Sequence, residues 1–174
     1  MKKCLIVVDM QNDFVNGSLG TSQAASIVPI VKNKVMEFRK ESNLIIFTKD
    51  THDENYLKTQ EGMLLPVLHC IKGTVGHKIV SDLDTSNCWI FEKTTFGSLK
   101  LAEALGSYEG INSMREIEIC GLCTDICVVS NALILKTKFP EITITVDSNA
   151  CAGVTHESHE AALQTMKICQ VNVL

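Results

Sequence analysis

Short, largely apolar runs separated by longer amphipathic stretches constrain this chain more than any other feature. Cys4–Val8, Leu44–Thr48, Cys88–Phe91, Ile117–Cys120, Ile142–Val146 and Val171–Leu174 read as strands. Between them, Ala25–Arg39, Leu99–Leu105, a segment running from the end of the fourth strand to about Leu135, and Glu157–Lys167 carry helical periodicity. A less regular stretch covers residues 55–76. Strands that alternate with helices pair in parallel through right-handed crossovers. Apolar residues at consecutive positions, as in Cys4–Val8 and Leu44–Phe47, rather than at every second one, mean that both sheet faces are covered. The expected fold is therefore α/β: a doubly wound, mostly parallel sheet of five to six strands with helices on both faces. No repeat, low-complexity segment or linker interrupts it, so residues 1–174 read as one domain.

Composition narrows the partners. The formal net charge is -4, with 16 Lys and Arg against 20 Asp and Glu and no basic cluster. Nucleic acids and anionic membranes reward clustered cations, so neither is expected. No apolar run approaches the roughly 20 residues of a spanning helix. The opening run Lys2–Val8 is ended by Asp9 with no small-residue cleavage site, and reads as a buried strand, not a signal peptide. Of the eight cysteines, Cys4, Cys88 and Cys120 lie inside strand-like runs. Free buried thiols in a reducing cytoplasm explain them more simply than disulfides. The expected ligand is a small molecule.

In an open parallel sheet, ligands bind beyond the carboxyl ends of the strands. Strand one ends in Asp9, strand two in Asp50 with His52 close behind, and strand three in Glu92-Lys93. Strand four ends in Gly121, and Leu122-Cys123-Thr124-Asp125-Ile126-Cys127 leads into a helix. Each residue alone has an ordinary explanation: Cys127 as a small core side chain, Asp9 as a loop cap, Lys93 as a solvated lysine, His69 as a packed histidine. Their convergence on one rim favours chemistry. With Thr124 or Asp125 as N-cap, Cys127 falls in a first helical turn, where free N–H groups favour a thiolate. Asp9, its pKa raised by burial, suits a general base, and Lys93 would hold the two anions together. Asp50, His52 and His69 offer a ligand set for zinc, iron or manganese. His156 and His159, three apart at a helix start, read as a solvated face.

Five motifs carry a resemblance: Val8-Asp9-Met10-Gln11-Asn12-Asp13-Phe14, Lys49-Asp50-Thr51-His52, His69-Cys70-Ile71-Lys72-Gly73-Thr74-Val75-Gly76, Lys93-Thr94-Thr95-Phe96 and Gly121-Leu122-Cys123-Thr124-Asp125-Ile126-Cys127-Val128. Spread over most of the chain in family order, they resemble the isochorismatase-like cysteine hydrolases, and within these the nicotinamidases and related amidases. The resemblance implies a catalytic triad of Asp9, Lys93 and Cys127. It implies a cis peptide at Leu122-Cys123 that directs the Cys123 N–H, beside that of Cys127, at an oxyanion. It implies Phe14 against the substrate ring, and a divalent metal, zinc foremost, on Asp50, His52 and His69. The implied reaction converts nicotinamide to nicotinate and ammonia, and a homo-oligomer is implied as well.

The chain also departs from the nicotinamidase pattern. Cys123 stands where alanine is usual, and Leu65-Pro66-Val67-Leu68 replaces the usual Trp-Pro before the metal histidine. Tyr56-Leu57-Lys58 occupies the region where some nicotinamidases carry a further histidine. These changes leave the triad intact and keep a second substrate class open, another small amide or carbamoyl compound. Isochorismatase activity itself fits less well, because that reaction does without the cysteine. A non-catalytic metal or redox module built on Cys120, Cys123 and Cys127 is the remote alternative; their spacing is not that of paired Cys-x-x-Cys zinc sites.

Overall fold

The computed structural model describes residues 2–174. Six strands form one sheet: β1 (Lys2–Val8), β2 (Leu44–Asp50), β3 (Trp89–Lys93), β4 (Met114–Leu122), β5 (Thr143–Ala152) and β6 (Asn172–Val173). Their order is β3-β2-β1-β4-β5-β6, and every neighbouring pair is parallel. The apolar run of β1 has the expected cause: Cys4, Leu5, Ile6, Val7 and Val8 are all fully buried, so side chains on both faces meet protein, whereas on the edge strand β3 Trp89 and Ile90 are exposed, contrary to that expectation.

Six α-helices accompany the sheet: α1 (Asn12–Val15), α2 (Ser22–Lys40), α3 (Gln60–Leu64), α4 (Leu99–Gly106), α5 (Val129–Lys138) and α6 (His156–Ile168). In α2 the buried residues Ala24, Ile27, Val31, Val35 and Phe38 recur every three or four positions, which makes one apolar stripe. Thr21 caps it by accepting the Ala24 N–H at 3.0 Å. Thr155 and Ser158 close a reciprocal capping box on α6. From β1 the chain steps outward to β2 and β3, then returns to place β4 on the other side of β1. Right-handed crossovers in these opposite directions put α2 and α5 on opposite faces. No helix among the described residues is long and apolar enough to cross a membrane.

Several boundaries differ from expectation. β5 continues past Val146 through Asp147, Ser148 and Asn149 because a register shift against β4 carries the pairing on to Gly121–Cys151. β4 begins at Met114, three residues early. Its extra segment includes Arg115 and Glu116, the latter ion-paired with Lys3 at 2.8 Å, so no apolar run marks it. The irregular stretch holds a turn of 3₁₀ helix at Tyr56–Lys58 and the five-residue α3.

The reversal of strand order between β1 and β4 opens a crevice at their carboxyl ends. There Gly121 has φ +115°, and a Cβ on it would lie 2.1 Å from the Val8 carbonyl oxygen. Only glycine allows the two strands to approach so closely. Gly121→Ala is expected to destabilise the fold by about 3 kcal/mol or more, read as a lowered urea midpoint; an unchanged midpoint would contradict this packing.

Candidate active site

Three strand ends deliver charge to one point. Lys93, at the end of β3, is buried, with Nζ 2.6 Å from Asp9 Oδ2 and 3.4 Å from Asp50 Oδ1. The same ammonium donates to Cys127 Sγ at 3.4 Å. Asp9 follows β1 with φ +47°, and its Oδ1 accepts the Thr48 hydroxyl at 2.6 Å. Asp9, Asp50 and Cys127 are buried too. The solvated-lysine reading of Lys93 is thereby overturned.

Burial and charge divide these groups. Burial drives the Asp9 pKa up, and the nearby Asp50 adds to this against the opposing charge of Lys93. Asp50 is also raised by burial, but the adjoining His52 and His69 rings and the charge of Lys93 outweigh that and hold it well below the carboxylate range. For Lys93, burial favours the neutral amine, yet Asp9, Cys127 and Asp50 more than compensate and keep it charged. Burial, then Asp9, pushes the Cys127 thiol well above its ordinary range. Against the pull of the turn's N–H groups toward a thiolate, desolvation beside a carboxylate favours the protonated thiol.

The segment bearing Cys127 has a distinct geometry. The Leu122-Cys123 peptide is cis. The Val128 N–H reaches back five residues to the Cys123 carbonyl at 3.0 Å, which makes residues 124–128 a π-helical turn. Cys123, and neither Thr124 nor Asp125, occupies the N-cap position. Thr124 is instead fully buried with its hydroxyl 2.8 Å from His159 Nδ1. Asp125 accepts the Val154 N–H at 3.2 Å. His159 is thus a half-buried contact of this turn, a correction to the solvated-face reading, while His156 is exposed. Cys120 is fully buried within the sheet.

Asp50, His52 and His69 come together as a potential metal cluster. Asp50 Oδ2 lies 2.8 Å from His52 Nε2 and 3.6 Å from His69 Nε2. Glu61 Oε1 lies 3.7 and 3.9 Å from the same nitrogens. The ligand atoms of Asp50, His52 and His69 all lie within 4.8 Å of one another, close to the roughly 4.4 Å that separates ligands held about 2.0–2.2 Å from a shared ion, while Glu61 stands outside this group. Two further observations agree. The buried His52 Nε2 has no hydrogen bond, because the nearby carboxylate lies off its bonding direction. His69 Nδ1 donates to the Val67 carbonyl at 2.8 Å, which turns Nε2 toward the cluster. The Phe14 ring centroid lies 5.6 Å from that of His69, and Tyr56 packs on His52 and His69 at 4.5 and 4.9 Å.

Sequence reasoning missed Thr48, Glu61, Gln11 and Asn131. Asn131 accepts the Ser98 N–H at 3.0 Å and donates to the carbonyls of Cys127 at 2.7 Å and Phe96 at 3.2 Å, tying the loop after Lys93 to the Cys127 turn. Spacing four residues after Cys127 on a helix was the only available signal. A shallow groove of about 660 Å³ at the opposite end of the sheet, lined in part by Glu103, Arg115 and Lys138, lies away from these groups.

Comparison with known proteins agrees with this arrangement. The Isochorismatase domain family matches residues 3–174. The chain belongs to the isochorismatase family. A Bacillus subtilis member, described as uncharacterized isochorismatase family protein PncA, is 30% identical over 94% of this chain and 93% of its own. A probable inactive nicotinamidase of Arabidopsis thaliana is 31% identical over 94% of this chain and 87% of its own. Among solved structures of the family, pyrazinamidase of Pyrococcus horikoshii in complex with zinc superposes with a TM-score of 0.86 at 29% identity, covering 100% of this chain and 99% of that one.

With its pKa well above the ordinary range, Cys127 in the metal-free protein should be alkylated by iodoacetamide about tenfold faster per pH unit between pH 7 and 9. Peptide mapping of the labelled thiol measures this; a rate already level below pH 7 would mean a preformed thiolate.

Proposed function

We propose that this chain is a cysteine-dependent amidohydrolase that cleaves a small amide through a thioester, with nicotinamide as the leading substrate. The observation that carries the reading is the buried Lys93 ammonium held between Asp9 and Cys127. Asp9 takes the Cys127 proton as sulfur attacks the amide carbon. Burial, by raising the Asp9 pKa, narrows the gap that this transfer must cross. Lys93 stays charged and keeps the carboxylate and the sulfur in register, whichever of them carries the negative charge. The N–H groups of Cys123 and Cys127 receive the oxyanion; loss of one such donor typically costs about 3–4 kcal/mol. Asp9 then returns its proton to departing ammonia. Water enters, Asp9 accepts a proton from it as its oxygen attacks the thioester carbon, and Asp9 then passes that proton to the departing sulfur, which leaves the free thiol and an acid that ionises to the carboxylate.

Asp50, His52 and His69, with Glu61 beside them, would hold a divalent cation, zinc foremost. Such an ion supplies a Lewis-acid anchor for a pyridine nitrogen or for water. Phe14 would lie against the substrate ring. The zinc complex of the Pyrococcus relative supports the metal part of this reading. The complete Asp9–Lys93–Cys127 set supports activity despite the likeness to a relative described as probably inactive. A cytoplasmic setting, in which the free cysteines stay reduced, and homo-oligomeric assembly go with the proposal.

One feature favours a second substrate class. Leu65, rather than an aromatic residue, precedes Pro66 ahead of His69, and it is partly exposed. A pocket without that aromatic wall suits a small non-aromatic amide or carbamoyl compound as well. Ammonia release from nicotinamide and from a panel of such compounds, with and without chelator, separates the two. Cys127→Ala should reduce turnover of the true substrate by at least about 10³-fold and leave the circular dichroism spectrum unchanged. Retention of a tenth of the activity in that variant would end the nucleophile assignment.

A further inference from the structure

The motif that supplies Asp9 and Phe14 also contains Gln11 and Asp13, and neither has a role in the proposed chemistry. Gln11 is fully buried, and its amide grips the backbone of Asp50 on both sides. Oε1 accepts the Asp50 N–H at 2.7 Å, while Nε2 donates to the Asp50 carbonyl at 2.8 Å and to the His77 carbonyl at 3.0 Å. Every donor and acceptor type of the side chain is used on main-chain atoms. Asp13 does the same on the other ligand segment. Its Oδ2 accepts the N–H of Cys70, the residue after His69, at 2.7 Å.

Cys70 has φ +48°, a conformation that L residues adopt at a cost and keep only when their surroundings fix it. The Asp13 carboxylate is one such constraint. Gly76 is another part of the seat. Its carbonyl accepts the Asp13 N–H at 3.1 Å, and a Cβ on it would lie 2.0 Å from Asp13 Oδ2. The ligand segments then brace each other, because His52 N–H donates to the Cys70 carbonyl at 3.0 Å and Lys72 N–H to that of His52 at 2.8 Å.

We propose that Gln11 and Asp13 are positioning residues for the metal cluster: they dock the separate segments bearing Asp50–His52 and His69 onto the turn that follows Asp9. Distance between ligands is then set by one short turn shared with the proposed base, not by two independent loops. The inference rests on the reading of Asp50, His52 and His69 as metal ligands. Partners that orient ligands typically change metal affinity by about 10- to 100-fold when removed.

The test is the zinc dissociation constant of metal-free protein, measured by competition with a chromophoric chelator, alongside the melting midpoint of the same metal-free samples. Asp13→Ala should weaken zinc by about 10- to 100-fold. Asp13→Asn, which keeps an acceptor oxygen for the Cys70 N–H, should remain within about threefold of the unaltered chain. Gly76→Ala, which pushes the carboxylate off its seat without removing it, should weaken zinc by about tenfold or more. A merely structural role would lower the midpoint and leave zinc affinity of the folded variants unchanged, and that result overturns the inference. If Asp13→Ala does not fold, Gly76→Ala decides alone: normal affinity there refutes the proposal. Failure of the unaltered chain to bind zinc is a separate result, which removes the metal reading and this inference with it.

Discussion

One buried ammonium organises the catalytic end of this molecule. Lys93 touches Asp9, Asp50 and Cys127, which arrive from β1, β2 and the turn after β4. An isolated buried charge costs several kcal/mol, so each partner is needed for the others to remain. The arithmetic of charge explains how the two carboxylates differ. One ammonium cannot neutralise two carboxylates in a dry cleft. Asp50 has His52 and His69 as further partners and stays ionised. Asp9 has only Lys93 and the Thr48 hydroxyl against full burial, so it is the group that binds a proton more readily. Environment thus separates one carboxylate suited to holding a cation from another suited to carrying a proton.

Topology makes that separation possible. β1 is central and β4 lies beside it on the far side from β2, so the chain reaches this crevice from two directions. Lys93 crosses over Asp50, its register partner on β2, to meet Asp9. Gly121 lets β4 close on β1 where the two strands end. The π-helical turn then returns Cys127 toward the same ammonium, and Asn131 fixes that turn to the loop after β3. A sheet of different strand order would separate these ends.

The parallel sheet and the set Asp9, Asp50, Lys93 and Cys127 were legible because two simple patterns coincide. Apolar runs mark the strands, of which the central β1 is buried on both faces, and polar residues at their carboxyl ends mark the rim. The residues that support the site carry no such mark. Gln11, Thr48 and Asn131 act through buried hydrogen bonds, mostly to main-chain atoms brought close only by the fold. Glu61 sits in a stretch without clear periodicity and approaches the histidines only because α3 folds back on them. The N-cap was misplaced because a five-residue hydrogen-bonded turn has no signature in composition. His159 was misread because its partner, Thr124, lies on a different element.

Tyr56 shows how the departures from the nicotinamidase pattern fit together. It occupies the region where some of those enzymes place another histidine, and its ring packs on both His52 and His69. Its hydroxyl donates to the Leu65 carbonyl at 3.0 Å, and burial pushes its pKa up to about 12. A protonated phenol committed to that carbonyl is not a metal ligand. It anchors instead the Leu65-Pro66 segment, where the usual tryptophan is absent. The oxygen left nearest the histidines is that of Glu61, one turn further along the same fold-back. The loss of a histidine, the aromatic packing under the cluster and the carboxylate beside it therefore form one rearrangement. It changes the packing around Asp50, His52 and His69 while leaving the Asp9–Lys93–Cys127 contacts in place.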